Sequence, residues 1–141
     1  MDVMLQNKDQ PEKAAEDHAI EIGKLLYEHK GGDVVVMDMR TLNFWTDFFI
    51  IATITSSTHL MGLERHIKDF AMEKELDILR FSRKPVKDGN NYNSDEWQLM
   101  ELSGIVVHLM AAKTRSFFEL ERLWSAAPII YRSESYSSKS S

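Results

Sequence analysis

The stretch Trp97-Gln98-Leu99-Met100-Glu101-Leu102-Ser103-Gly104-Ile105-Val106-Val107-His108-Leu109-Met110 decides the fold. Two strand-like runs, Trp97–Leu102 and Ile105–Met110, flank Ser103-Gly104, a dipeptide suited to a two-residue hairpin turn. That turn sets the register: Leu102 faces Ile105, Met100 faces Val107 and Gln98 faces Leu109. Because side chains alternate across a strand, one sheet face is then mostly aliphatic. The other carries Trp97, Leu99 and Glu101 opposite Met110, His108 and Val106. An aromatic ring, an acid and an imidazole on one face leave two readings open. Either a helix covers this face and only its rim is polar, or the face meets a partner.

Downstream, the apolar residues Phe117, Leu120 and Trp124 recur at helical spacing, which predicts one helix from Ala112 to Trp124. Ser116 and Glu119 are placed as a capping box. Arg115 and Glu119 stand four apart, the spacing of an exposed ion pair. Pro128 marks the stop, and the Ser-rich residues 129–141 are expected to be a flexible tail.

Upstream, Arg83–Glu96 is a polar loop with Pro85 and Asp88-Gly89, and Leu76–Phe81 is a candidate strand. Ser56, Ser57 and Thr58 are suitable N-cap residues for a helix whose Leu60, Leu63, Ile67 and Phe70 share a stripe. Phe48–Ile54 and Val34–Met37 are short apolar, β-branched runs, the pattern of strands buried on both faces. Ala15, Ala19, Ile22 and Leu26 predict a helix over Glu12–His29, ended by Gly31-Gly32 in the left-handed conformation. The organisation is one α/β domain over residues 12–128, preceded by a flexible lead-in, 1–11.

Composition narrows the functions. A chain of 141 residues, 43% of them hydrophobic and 28% charged, can bury a real core. It has no cysteine, which excludes disulfides, thiolate metal sites and a cysteine nucleophile, and fits the cytoplasm. Its net charge of −5 disfavours a broad nucleic-acid surface, since phosphate neutralisation needs clustered Lys and Arg. A basic protein partner suits that charge. No apolar run approaches the roughly 20 residues of a membrane span.

Catalytic patterns fail one by one. His59 and His66 share a helix face, but no acid completes a metal set, and no metal is expected. A nucleotidyltransferase needs two acids on alternate strand residues, whereas Asp38-Met39-Arg40 offers an acid and then a base. Asp33 and Asp47 fit strand-end solvation. Ser56-Ser57-Thr58 lacks the glycines of a phosphate loop and is explained by capping. Trp97 differs: it follows an acidic loop and opens a strand, so its ring is expected to stay partly exposed, as binding hot spots do.

Three blocks of residues together resemble the ribosomal silencing factors, the Iojap family. They are Asp33-Val34-Val35-Val36-Met37-Asp38-Met39; Thr46–Thr53 with Ser56-Ser57-Thr58-His59; and Trp97–Glu101, Val106-Val107-His108 and Arg115–Trp124. The resemblance spans roughly residues 12–127, departing at the corner Glu101-Leu102-Ser103-Gly104. It implies a mixed five-stranded sheet flanked by helices, nucleotidyltransferase-like without the active site. It also implies a translational repressor without catalysis or cofactor. Such a protein docks on the large ribosomal subunit, on universal large-subunit protein fourteen, and blocks joining of the small subunit. Off the ribosome it would be a homodimer. On that reading Trp97 is the anchor, Glu101, Asp95 and Glu96 complement a basic ribosomal protein, and Ser57, His59, His108 and Arg115 complete the surface. The alternatives are a nucleotide-handling enzyme and a homodimeric scaffold for another client.

Overall fold

The computed structural model describes residues 11–42, 45–83, 86–88, 91–93 and 96–133. In chain order these form α1 (Pro11–Glu28), β1 (Gly32–Asp38), a 3-10 turn (Arg40–Leu42), β2 (Phe48–Ile54) and α2 (Ser57–Glu73). Then come β3 (Ile78–Arg83), β4 (Val86–Asp88), β5 (Asn91–Asn93), β6 (Trp97–Leu102) and β7 (Ile105–Ala111). The short helices α3 (Ala112–Phe118) and α4 (Leu120–Leu123) and the strand β8 (Ile129–Arg132) complete it.

The sheet has six strands in the order β3-β6-β7-β2-β1-β8, and β4-β5 form a separate two-stranded hairpin within the expected polar loop. It is mixed. β2 and β7 run parallel at its centre, and every other neighbouring pair is antiparallel. The β6–β7 register is the one the sequence predicts, with Leu102 opposite Ile105, Leu99 opposite His108 and Trp97 opposite Met110. The turn's positive φ falls on Gly104, where an added Cβ would lie 3.2 Å from Asp47 Oδ2.

The expected five strands become six because Ile129–Arg132 belongs to the sheet rather than to the tail. β1 is buried, so without β8 its outer N–H and C=O groups would be orphaned away from water. β8 pairs Tyr131 with Val36, the Asp38 N–H donates to Pro128 O, and the Val34 N–H donates to the buried Ser133 Oγ.

The first helix ends by a different device from the one expected. The left-handed residue is Lys30, with φ 71°, not a glycine. Lys30 N–H donates to Tyr27 O and Gly31 N–H to Leu26 O, the paired bonds of a Schellman end. Gly31 is needed for space, since a Cβ there would sit 2.8 Å from Leu26 O. Glu75 closes α2 in the same way, with Leu76 N–H donating to Ala71 O, so β3 starts at Ile78 rather than Leu76.

Two cores form on the two sheet faces. On one, Val34, Val36, Ile50, Met100 and Val107 pack under Ile22 and Leu26 of α1 and Leu60, Leu63 and Ile67 of α2. On the other, Val35, Met37, Phe49, Ile51, Trp97, Leu99, Val106 and Met110 pack under Leu120 and Ala127, with Trp124 at the margin.

Candidate docking surface

The second face carries a connected set of aromatic rings, Phe49, Trp97, His108 and Trp124. Trp97 is only 8% exposed, so the expected exposed anchor is in fact a core residue. Its Nε1–H donates to His108 Nδ1 at 3.1 Å. An acceptor Nδ1 puts the ring proton of a neutral His108 on Nε2. The pairing satisfies a buried indole donor, which would otherwise cost about 1–3 kcal/mol. His108 also meets the edge of Phe49 at 5.0 Å, and Phe49 meets Trp124 at 5.0 Å.

The aromatic contacts continue outward. The Trp97 ring lies 4.8 Å from Phe118, which is 41% exposed, and Phe118 lies 5.0 Å from Phe117, which is 79% exposed. Leu123 on α4 is also largely exposed. Phe118, Leu123, Glu119 and Arg122 line an open groove of about 380 Å³. The result is an apolar shelf seated on a buried tryptophan and edged by one acid and one base. Clustered exposed rings of this kind mark interaction sites on soluble proteins.

What breaks the shelf into two helices is Glu119. The expected single helix over 112–124 is interrupted there, at φ 46° and ψ 54°, and Ser116 and Glu119 form no capping box. Arg115 is likewise not an exposed partner of Glu119. Its side chain is 8% exposed, and its fork donates Nε–H to Glu121 Oε1 and Nη2–H to Glu121 Oε2, both at 3.1 Å. Nη1 reaches Thr53 Oγ1 at 2.9 Å and Gly32 O at 3.2 Å, and Asp33 lies 3.6 Å from Nη2. Arg115 therefore ties the shelf to the start of β1 and the end of β2.

The remaining candidates scatter. Glu101 is partly buried and pairs with Arg80 of β3 at 3.6 Å. Glu96 accepts from Thr114 Oγ1 and, through its carbonyl, from Ala111 N–H, so it fixes the start of α3. Asp95 lies outside the described residues. Ser57 and His59 sit on α2, across the sheet from Trp97 and His108. His59 Nδ1 accepts from Thr55 N–H, and Nε2 stands 3.1 Å from His29 O. Asp38 is taken by Arg40 through contacts of 2.9 and 2.7 Å. The adjacent bulky pair Phe117-Phe118 was the available signal for the shelf, since neighbours on a helix cannot both face its core.

Fold and surface together define an α/β domain with an exposed apolar shelf on one side of a mixed sheet. The chain belongs to the ribosomal silencing factor family: the model described as "Ribosomal silencing factor during starvation" matches residues 11–141. It is 28% identical to a Bacillus subtilis ribosomal silencing factor, with 72% of this chain and 80% of that protein covered. It is 33% identical to a mitochondrial Iojap-related protein of Arabidopsis thaliana, with 75% of this chain and 55% of the relative covered. A chloroplastic Iojap protein of that plant is 29% identical, and the match spans 42% of its length. Mouse "Mitochondrial assembly of ribosomal large subunit protein 1" is 28% identical, over 72% of this chain and 42% of its own. A crystal structure from Chromobacterium violaceum superposes with a TM-score of 0.63 at 26% identity, covering 80% of this chain and 85% of that one.

Proposed function

We propose that this protein is a translational repressor that binds the large ribosomal subunit and blocks joining of the small one. The observation that carries the reading is the exposed Phe117–Phe118–Leu123 shelf, in a chain of a family named for ribosome silencing. Universal large-subunit protein fourteen is the proposed contact, approached through the shelf, with the overall negative charge speeding encounter with a basic partner. On this reading the protein works in the cytoplasm, and free of the ribosome it is a homodimer.

Sedimentation of the purified protein through sucrose with isolated large subunits is the test. Co-sedimentation at low salt, and loss of subunit joining on adding excess protein, are the expected results. Protein that stays in the supernatant at low salt ends this proposal. Sedimentation equilibrium of the protein alone checks the dimer.

A further inference from the structure

Besides Asp33 of β1, Arg115 has two carboxylates on its own segment as candidate partners, and these two belong to two different backbones. Glu119 stands four residues on, the pairing distance of a straight helix. Glu121 stands six residues on, and it is the one Arg115 grips with both ends of its fork. On a straight α-helix, residues six apart lie about 9 Å apart along the axis and some 120° apart around it. A straight helix therefore sends the two side chains to different sides, which disfavours the two-pronged grip. The bidentate 115–121 clamp goes with a chain broken at Glu119. The periodicity of Phe117, Leu120 and Trp124, by contrast, suits an unbroken helix. One short segment carries the signals of both.

We infer that Arg115 and Glu121 are positioning residues of the docking shelf, and that their clamp selects the bent form of a two-state segment, residues 112–124. In the bent form Phe118 rests on Trp97, while Phe117 and Leu123 face solvent on either side of the break. Straightening rotates α4 relative to α3 and takes Leu123 off the groove it shares with Phe118. The clamp is anchored in the sheet by Thr53 and Gly32, so the bent form is coupled to β1 and β2 rather than to the surface alone. The inference rests on the ribosome-binding reading for its functional half only.

Glu119→Gly and Glu119→Ala test the backbone choice at an exposed position. Both remove the same carboxylate. Glycine enters the left-handed region freely, whereas alanine resists it and favours helix. In sedimentation with large subunits, the alanine variant is expected to bind about 5-fold more weakly than the glycine variant. Glu121→Gln weakens the clamp itself and is expected to lower affinity about 10-fold while increasing helical ellipticity at 222 nm. A merely structural ion pair would lose helical signal on removal, so the sign of that change separates the roles. Adding Glu119→Gly to Glu121→Gln should restore most of the affinity.

Equal binding by the two Glu119 variants overturns the inference, as does a fall in ellipticity for Glu121→Gln. If Glu121→Gln does not fold, the two Glu119 variants decide. If wild-type protein fails to sediment with large subunits, the ribosome reading falls. The sign of the ellipticity change in Glu121→Gln, expected to be a rise, then decides the clamp by itself.

Discussion

One face of this sheet is mostly aliphatic, with Phe48 as its buried ring, and lies under α1 and α2, helices of 18 and 17 residues. The other is built from Phe49, Trp97, Met37 and Met110 and lies under α3 and α4, which have 7 and 4 residues. A long amphipathic helix buries its apolar stripe and turns its charges to water. A short broken helix cannot do this at every position, and Phe117, Phe118 and Leu123 stay outside. The thick cover supplies stability, while the thin cover supplies a surface. The thin cover also needs its own braces, and these are the Trp97–His108 hydrogen bond below and the Arg115 clamp at the side.

The comparison breaks most readily at Trp97. If the aromatic face is a true core, Trp97→Ala should cost about 3–5 kcal/mol in urea unfolding, as large-to-small core changes do. A loss under about 1 kcal/mol would return the ring to the surface. Next comes Phe118→Ala, expected to weaken large-subunit binding by about 2 kcal/mol, as hot-spot truncations do. Its effect on unfolding should stay below about 1 kcal/mol, as for an exposed side chain. Leu63→Ala, under the thick cover, should show the reverse: about 2–5 kcal/mol of stability lost, and unchanged binding by the folded protein.

A smaller effect is expected at the end of β1, where Arg40 bonds Asp38 and Glu16 of α1. The hydrogen bond from Arg40 holds the Asp38 carboxyl below its usual range, and the folded state prefers the charged form. That stabilisation is fully present above the unfolded Asp value of about 3.9 and is lost as pH falls through the depressed folded value. Arg40→Met should cost about 1–3 kcal/mol at neutral pH, the range for hydrogen bonds to charged groups. The gap to wild type should close below about pH 4; a gap independent of pH would remove Asp38 from the account. The smallest change is Lys30→Gly, expected to raise stability by up to about 1 kcal/mol, because glycine holds a left-handed helix end at no steric cost. Thermal unfolding followed by ellipticity checks it.

The parts legible in the sequence were those governed by local periodicity. Phe48–Ile54 and the full β6–β7 register follow from alternation and one turn, and α1 follows from its stripe. The sixth strand did not, because Ile129–Arg132 is a short edge whose worth lies in covering β1, nearly a hundred residues away. The break at Glu119 was hidden for a related reason. Arg115, whose grip on Glu121 accompanies the break, is itself held by Thr53 and Gly32, which only the folded sheet brings up. Trp97 was placed on the correct face and given the wrong exposure, since the residues packed around it, His108 and Phe118 among them, are distant in sequence. Among the residues expected to form the partner surface, Ser57 and His59 were separated from Trp97 by the sheet itself.

The closure of β1 by β8 has a consequence for biosynthesis. β1 is made well before its outer partner β8, which comes last in chain order among the described strands. Until Ile129–Arg132 is available, β1 is paired only with β2 and presents an open outer edge with Val34, Val35 and Val36 along it. Such edges template aggregation, and long-range pairings close slowly. The sheet is therefore complete only once β8 has been made, and fragments that stop short of β8 are expected to be insoluble and quickly degraded.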